Sequence, residues 1–299
     1  MKKAVGESKG LLACLTAFFV ICIWGTTFVQ TKVLINAGLR PEEIFLYRFL
    51  LAYVFIIPFA GKRLFLDNIK DEAAALMLGI TGGSLYFATE NTALVYGYCS
   101  NVSLLVCVTP LTTALFMGWL YPSERLGKRA LFASLVALTG VALVVFNGNF
   151  VLKLSPLADG LAFAACICWT LYSLFMRYIA KRYSTLLIMR KVFGYGLLTI
   201  LPFFIGRPPR LELVTDAEPA VWVNLLTLGC IASLLCYTLW NYVLDKLGTV
   251  RATNFIYFNP VVTMIASWLV LNERITPIAM VGAVLVLAGM YWAERFRNG

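Results

Sequence analysis

The sequence predicts an all-α integral membrane protein: ten transmembrane helices, arranged as two inverted five-helix repeats, with both termini cytoplasmic. Three observations carry that prediction: the composition, the placement of the basic residues, and an internal match between the halves. Hydrophobic residues make up 61% of the 299, charged residues 13%, and mean hydropathy is +0.82. A soluble domain has about a quarter of its residues charged. Here the charges cluster between long apolar runs, the pattern of a helical membrane protein and not of a β-barrel.

A bilayer core about 30 Å thick takes roughly 20 residues of helix. Ten segments qualify: about 11–34, 44–60, 73–97, 101–120, 128–146, 157–179, 186–205, 220–244, 251–271 and 277–296. The breaks carry turn or charge signals, such as "NAGLRPEE", "AGKRLFLDNIKDE", "YPSERLGK" and "IGRPPRLELVTDAEP". The first run follows lysines but is too long for a signal peptide, and no A-x-A-like site closes it, so it reads as a retained helix. The connections are short, which places any activity inside the bilayer.

The net charge of +10 reflects topology. With the N-terminus inside, 18 of the 25 Lys and Arg fall on inner segments and six on outer ones, while Arg48 lies within a span. That bias sets both termini in the cytoplasm. Nucleic acid is therefore not the expected partner; a lipid bilayer is, and the expected location is the cell inner (plasma) membrane, multi-pass.

The two halves match each other. "VTPLTTALFMGWLYPSERLGKRALFASLVALTGVALV" (108–144) aligns with "FNPVVTMIASWLVLNERITPIAMVGAVLVLAGMYW" (258–292), pairing Pro110 with Pro260, Glu124–Arg125 with Glu273–Arg274, Gly140 with Gly289 and Ala133 with Gly282. Upstream, Trp24 pairs with Trp169, Arg48 with Arg190, Pro58 with Pro202 and Asn91 with Asn241. The repeats are expected over residues 1–147 and 156–297, together forming one membrane domain. Five spans each, an odd number, make the second half enter from the opposite side. Such inverted repeats point to secondary transporters with a site near the midplane.

A proline-containing fourth span, "SER" or "NER" just after its C-terminal end and a glycine-bearing fifth span, all repeated, resemble the EamA-type transporters of the drug/metabolite transporter superfamily. The early "IWGTTFVQTKVL" and "YRFLLAYVFIIPF" look like that family's first and second helices. The resemblance covers nearly the whole chain and implies ATP-independent movement of small metabolites such as amino acids. It also implies that spans 1, 3, 4, 6, 8 and 9 line a central cavity, with 5 and 10 as scaffold.

The absences narrow the chemistry. The chain has no His, hence no imidazole relay or His-ligated metal. Neither "GK" pair has the glycine five positions earlier that a phosphate-binding loop needs. The eight Cys read as small apolar fillers. No cofactor and no catalytic residue are expected. An intramembrane lipid-modifying enzyme would need clustered acids or metal ligands, which are missing. A passive facilitator or channel remains the main alternative.

The candidate substrate-binding residues are Trp24, Thr27, Tyr86, Glu90, Asn91, Trp169, Tyr172, Tyr237, Trp240, Asn241, Asn254 and Tyr257, with Pro110 and Pro260 as hinges. The aromatic residues would form walls and the amides polar contacts. Thr27 and Thr31 share a helical face with Trp24, as Tyr172 and Ser173 do with Trp169. Each proline removes a backbone hydrogen bond within its span and frees a carbonyl. The glycines at 140, 282 and 289 suit a close helix contact, either internal or in a homodimer.

Glu90 stands out because its repeat mate is Trp240, so the shared frame does not require an acid there. It lies about 10 Å below the outer end of its span, and Arg48 lies in the outer part of its own. A lone charge at this depth costs about 2.5–3.5 kcal/mol on insertion scales. Glu90 is therefore expected either to pair with Arg48 or to face the cavity and meet a proton or a cationic group of a small-molecule substrate. Arg48, repeated as Arg190, reads as part of the frame.

Overall fold

The computed structural model describes residues 2–97, 99–122, 127–146, 155–212, 218–271 and 275–296. The described residues are helical, with no strand among them. The first half contains α1 (Lys2–Asn36), α2 (Pro41–Ile56), α3 (Ile69–Gly79), α4 (Leu85–Tyr96), α5 (Cys99–Val106), α6 (Thr109–Leu120) and α7 (Lys128–Phe146). The second contains α8 (Pro156–Ile179), α9 (Thr185–Ile200), α10 (Pro219–Leu226), α11 (Cys236–Leu247), α12 (Thr249–Asn254), α13 (Asn259–Leu271) and α14 (Pro277–Phe296).

Five helical stretches are long and apolar enough to cross a bilayer: Gly10–Asn36, Lys128–Val145, Pro156–Ile179, Thr185–Phe204 and Pro219–Leu247. The other apolar runs are carried by shorter or interrupted helices. Large apolar side chains face outward, including Leu11, Leu15 and Phe19 on α1, Leu131 and Leu135 on α7, and Val281 and Val284 on α14. A continuous apolar exterior of this kind suits lipid rather than water.

The interruptions follow a pattern. A π turn at Ile80–Ser84 joins α3 to α4, and a second at Thr227–Leu235 joins α10 to α11. Adding the 150-residue spacing of Asn91 and Asn241 brings the first turn inside the second. A π turn widens the helix and releases carbonyls from the regular ladder. At the first, Gly83 leaves helical geometry (φ −127°, ψ −107°).

The prolines begin helices. Pro110 sits in the first turn of α6, after a break at residues 107–108, and Pro260 is the second residue of α13, after a 3-10 turn at Phe255–Phe258. A proline at a helix start lacks an N–H that would have no intrahelical partner anyway. Carbonyls around the two breaks accept side-chain donors as well. The Cys166 thiol donates to Leu105 O at 2.9 Å, Thr109 Oγ1 to Val106 O at 2.6 Å, and the Cys107 thiol to Ile256 O at 3.6 Å. These two cysteines therefore do more than fill space.

The glycine contact is internal. A Cβ on Gly140 would lie 2.6 Å from the Gly282 carbonyl and the Val286 nitrogen, and one on Gly282 would lie 2.7 Å from the Gly140 carbonyl. Gly289 meets Ala137 as closely. Contacts therefore rise along α7 as they fall along α14, and the two helices run antiparallel with their backbones touching.

α2 and α9 also lie side by side in opposite senses, tied at both ends. At the start of α2, buried Glu43 accepts from Arg40 Nη2 (2.8 Å) and from Arg210 Nη2 (2.7 Å), Nε and backbone N (both 3.0 Å). Burial alone would raise this carboxyl's pKa, but the two arginines and two backbone donors hold it at about 2. At the opposite end, Asp71 accepts from Arg182 and Tyr183, both at 2.7 Å, and Glu72 accepts from Lys191 and Tyr195. The Tyr183 hydroxyl, ahead of Arg182, holds Asp71 below the usual carboxylate range. Burial raises Glu72, and its Lys191 and Tyr195 bonds more than offset that.

Candidate functional site

A cavity of about 40 Å³ lies where the interrupted helices meet. Its wall takes Trp24, Thr27 and Phe28 from α1, Arg48 from α2, and Tyr86, Phe87 and Glu90 from α4. Val106 and Thr109 flank the first helix break, and Ile256 and Asn259 flank the second. Trp169 of α8 and Tyr237 of α11 complete it. Every helix that the family resemblance places on the cavity contributes, α2 joins them through Arg48, and α7 and α14 stay outside. The volume holds only about three waters, so a metabolite needs the walls to part.

The rings form one cluster. Trp24 meets Trp169 edge-on with centroids 5.3 Å apart, and Tyr237 at 5.7 Å. Tyr86 packs on Trp169 at 5.2 Å. Two rings are fixed by the π turns: Trp24 Nε1 donates to Ala232 O at 3.0 Å, and the Tyr237 hydroxyl to Gly82 O at 2.8 Å. Carbonyls within the two π turns thus anchor the aromatic wall.

The two charges do not pair. No ion pair within 4.0 Å joins Arg48 to Glu90 among the described residues. Nor does Arg48 run outward. Its Nε donates to buried Ser233 at 2.9 Å, and its guanidinium lies 4.2 Å from the Phe87 centroid. Glu90 Oε1 accepts from the Tyr86 hydroxyl at 2.8 Å, one helical turn away. The side chains of both line the cavity, so facing each other and facing the cavity are not exclusive. The mate Arg190 behaves differently: it donates to Gly61 O at 2.7 Å, far from the site.

Of the twelve candidates, Trp24, Thr27, Tyr86, Glu90, Trp169 and Tyr237 come together in the wall. Thr27 lines it although its hydroxyl bonds back to Trp24 O at 2.7 Å. The other six lie behind the wall. Asn91 donates to Pro41 O at 3.2 Å. Tyr172 donates to Asn241 Oδ1 at 3.2 Å, and Asn241 Nδ2 donates to Tyr237 O at 2.9 Å. Trp240 packs fully buried against Trp24, with ring centroids 5.1 Å apart. Asn254 is buried in the short helix α12, and Tyr257 packs in the core between α7 and α14. The Asn91 and Asn241 side-chain nitrogens serve backbone carbonyls and the Asn241 oxygen a tyrosine hydroxyl, which sequence position alone does not reveal. Arg48, Phe28, Phe87, Val106, Thr109, Ile256 and Asn259 join the wall without having been candidates. The helix breaks at both prolines were the available signal for the last four.

Comparison with known proteins agrees with this architecture. The model of the EamA-like transporter family matches residues 11–146 and again 156–294. The chain belongs to the EamA-like transporter family. A relative from Escherichia coli (strain K12), named a probable amino-acid metabolite efflux pump, is 25% identical over 296 residues, covering 96% of this chain and 95% of that protein. The uncharacterized transporter YdfC of Bacillus subtilis (strain 168) is 25% identical, covering 91% of this chain and 87% of its own. A probable terminal-alkyne amino-acid exporter of Streptantibioticus cattleyicolor is 24% identical, covering 92% and 91%. Among solved structures, a crystal structure 18% identical superposes with a TM-score of 0.77, covering 96% of this chain and 99% of that one. Membership of the EamA family places the chain among membrane transporters.

Proposed function

We propose that this EamA protein is a secondary transporter that exports small metabolites such as amino acids across the inner membrane by alternating access. Ten spans in two inverted repeats, over residues 1–147 and 156–297, with cytoplasmic termini would carry it. The observation that carries the reading is a small cavity lined by both halves at the point where their helices are broken. Trp24, Trp169, Tyr86 and Tyr237 supply its rings, and Glu90 with Arg48 its charge. Amino acids enter as substrates by analogy with the relatives' names.

In alternating access the cavity opens to one side at a time. The breaks before Pro110 and Pro260 give α6 and α13 freedom to swing relative to α5 and α12, so these prolines act as hinges. Glu90 serves as the group that meets a proton or a cationic substrate group.

The test is counterflow in proteoliposomes. External unlabelled amino acid should accelerate efflux of labelled amino acid. Efflux indifferent to external substrate would instead identify a passive pore.

A further inference from the structure

We infer that Arg48 and Glu90 read the two ends of a zwitterion: an α-amino acid with an apolar or aromatic side chain docks its carboxylate on the Arg48 guanidinium and its ammonium on the Glu90 carboxylate. The assignment rests on the transport reading above and adds the recognition chemistry.

Each charge is held from one side only. Arg48 uses Nε on Ser233 and its flat face on Phe87, and its Nη groups have no hydrogen-bond partner among the described residues. Tyr86 occupies Glu90 Oε1, and Oε2 of this cavity-lining residue has no hydrogen-bond partner among the described residues. Both residues are more than nine-tenths buried, with 3% of Arg48 and 8% of Glu90 exposed. Buried charges are costly unless compensated. A ligand with one charge satisfies one of them and leaves the other unmatched, and an uncharged ligand displaces water from both. A zwitterion compensates the two together, and a planar carboxylate matches the paired donors of a guanidinium.

Two further wall residues carry unused polar atoms. Trp169 Nε1 and Asn259 Oδ1 are buried without a hydrogen-bond partner among the described residues, a spare donor and a spare acceptor on residues that line the cavity. The remaining wall is aromatic and aliphatic, which suits an apolar side chain. The charges also occur once in a repeated frame. Trp240 stands at the mate position of Glu90, and Arg190 is turned to Gly61 O. One acid and one base fix a single substrate orientation.

The experiment uses the full chain, with L-phenylalanine, L-phenylalaninamide (ammonium kept, carboxylate neutralised) and N-acetyl-L-phenylalanine (carboxylate kept, ammonium removed). Affinity is read from thermal shifts of purified protein and from counterflow competition. Phenylalanine should bind about tenfold or more tightly than either analogue, as expected when a charged hydrogen-bond partner is lost. Glu90→Gln should abolish the preference for phenylalanine over N-acetylphenylalanine. Ser233→Ala removes the bond that positions Arg48. It should weaken phenylalanine and N-acetylphenylalanine while leaving phenylalaninamide unchanged, a split that a general loss of fold does not produce. Equal binding of all three compounds, or the same ranking in both variants, overturns the assignment. Phenylalanine counterflow with that unchanged ranking removes only the zwitterion assignment. Absence of both counterflow and thermal shift with every compound removes the amino-acid reading as well.

Discussion

The Tyr237 hydroxyl donates to the carbonyl of Gly82 at 2.8 Å, joining α11 of the second half to the π turn of the first. The bond ties a cavity ring to irregular backbone in the opposite half. Tyr237→Phe keeps the ring but leaves a buried carbonyl without that donor. The expected cost is about 1–3 kcal/mol of stability, seen as a lower melting temperature of the detergent-solubilised protein. Counterflow should weaken in parallel, because the ring loses its anchor.

Gly82→Ala tests the same junction from the other side. An added Cβ would fall 2.2 Å from the Tyr172 ring, which is fully buried and has nowhere to move. Overpacking of this kind costs about 1–3 kcal/mol or more. The variant should melt lower than wild type and accumulate poorly in membranes.

The α7–α14 contact predicts a different outcome. Gly140→Val and Gly282→Val each drive a side chain into the facing backbone, so each should cost about 1–3 kcal/mol. Both glycines lie away from the cavity. The surviving folded fraction should therefore keep its substrate ranking, measured by counterflow competition per folded molecule.

Glu43 gives a pH prediction. Its pKa is about 2 in the folded protein against about 4.3 in an unfolded chain. A depressed carboxylate pKa stabilises fully above the unfolded value and is lost as pH falls through the folded one. Melting temperature should therefore drop between about pH 4.5 and pH 2, and Glu43→Gln should remove the part of the slope due to this residue. A wild-type slope left intact in the variant would reject the assignment.

Proton coupling is tested at Glu90. The groups facing it are Tyr86 on its own helix, Arg48 on α2, Cys166 on α8 and Tyr237 on α11. Glu90→Gln should flatten the pH dependence of transport in proteoliposomes. An unchanged pH profile assigns coupling to another group.

Much of this arrangement was legible in the sequence, for physical reasons. Apolar run length gave the helical segments, because lipid thickness constrains it directly. The matched prolines marked the breaks, because proline removes a backbone donor wherever it falls. Trp24 and Trp169 were visible as mates, and the structure brings their rings together. The π turns were not visible: "ITGGS" and "TLGCIASLL" contain no residue that demands an extra residue in the hydrogen-bonded ring. Arg48 was read as frame because it repeats as Arg190, yet identical residues in a repeat need not point alike. One meets Ser233 beside the cavity and the other a loop carbonyl. Asn91 and Asn241 were read as substrate contacts; in the structure their Nδ2 groups donate to the carbonyls of Pro41 and Tyr237.

The ties at the two ends of α2 and α9 bear on the ancestry of the chain. At one end the helix start brings the acid, Glu43, and the facing loop brings the base, Arg210. At the other the helix start brings the bases, Arg182 and Lys191, and the facing segment brings the acids, Asp71 and Glu72. Two copies of the first half, docked head to tail, would set Glu43 against Asp71 and Glu72. Two copies of the second would set Lys191 against Arg207 and Arg210. Apart from Arg40, which already pairs with Glu43, like charges would meet in both hypothetical pairs, whereas unlike charges meet in the mixed one. Whatever symmetric ancestor the repeat descends from, each of these ties now joins an acid of the first half to a base of the second.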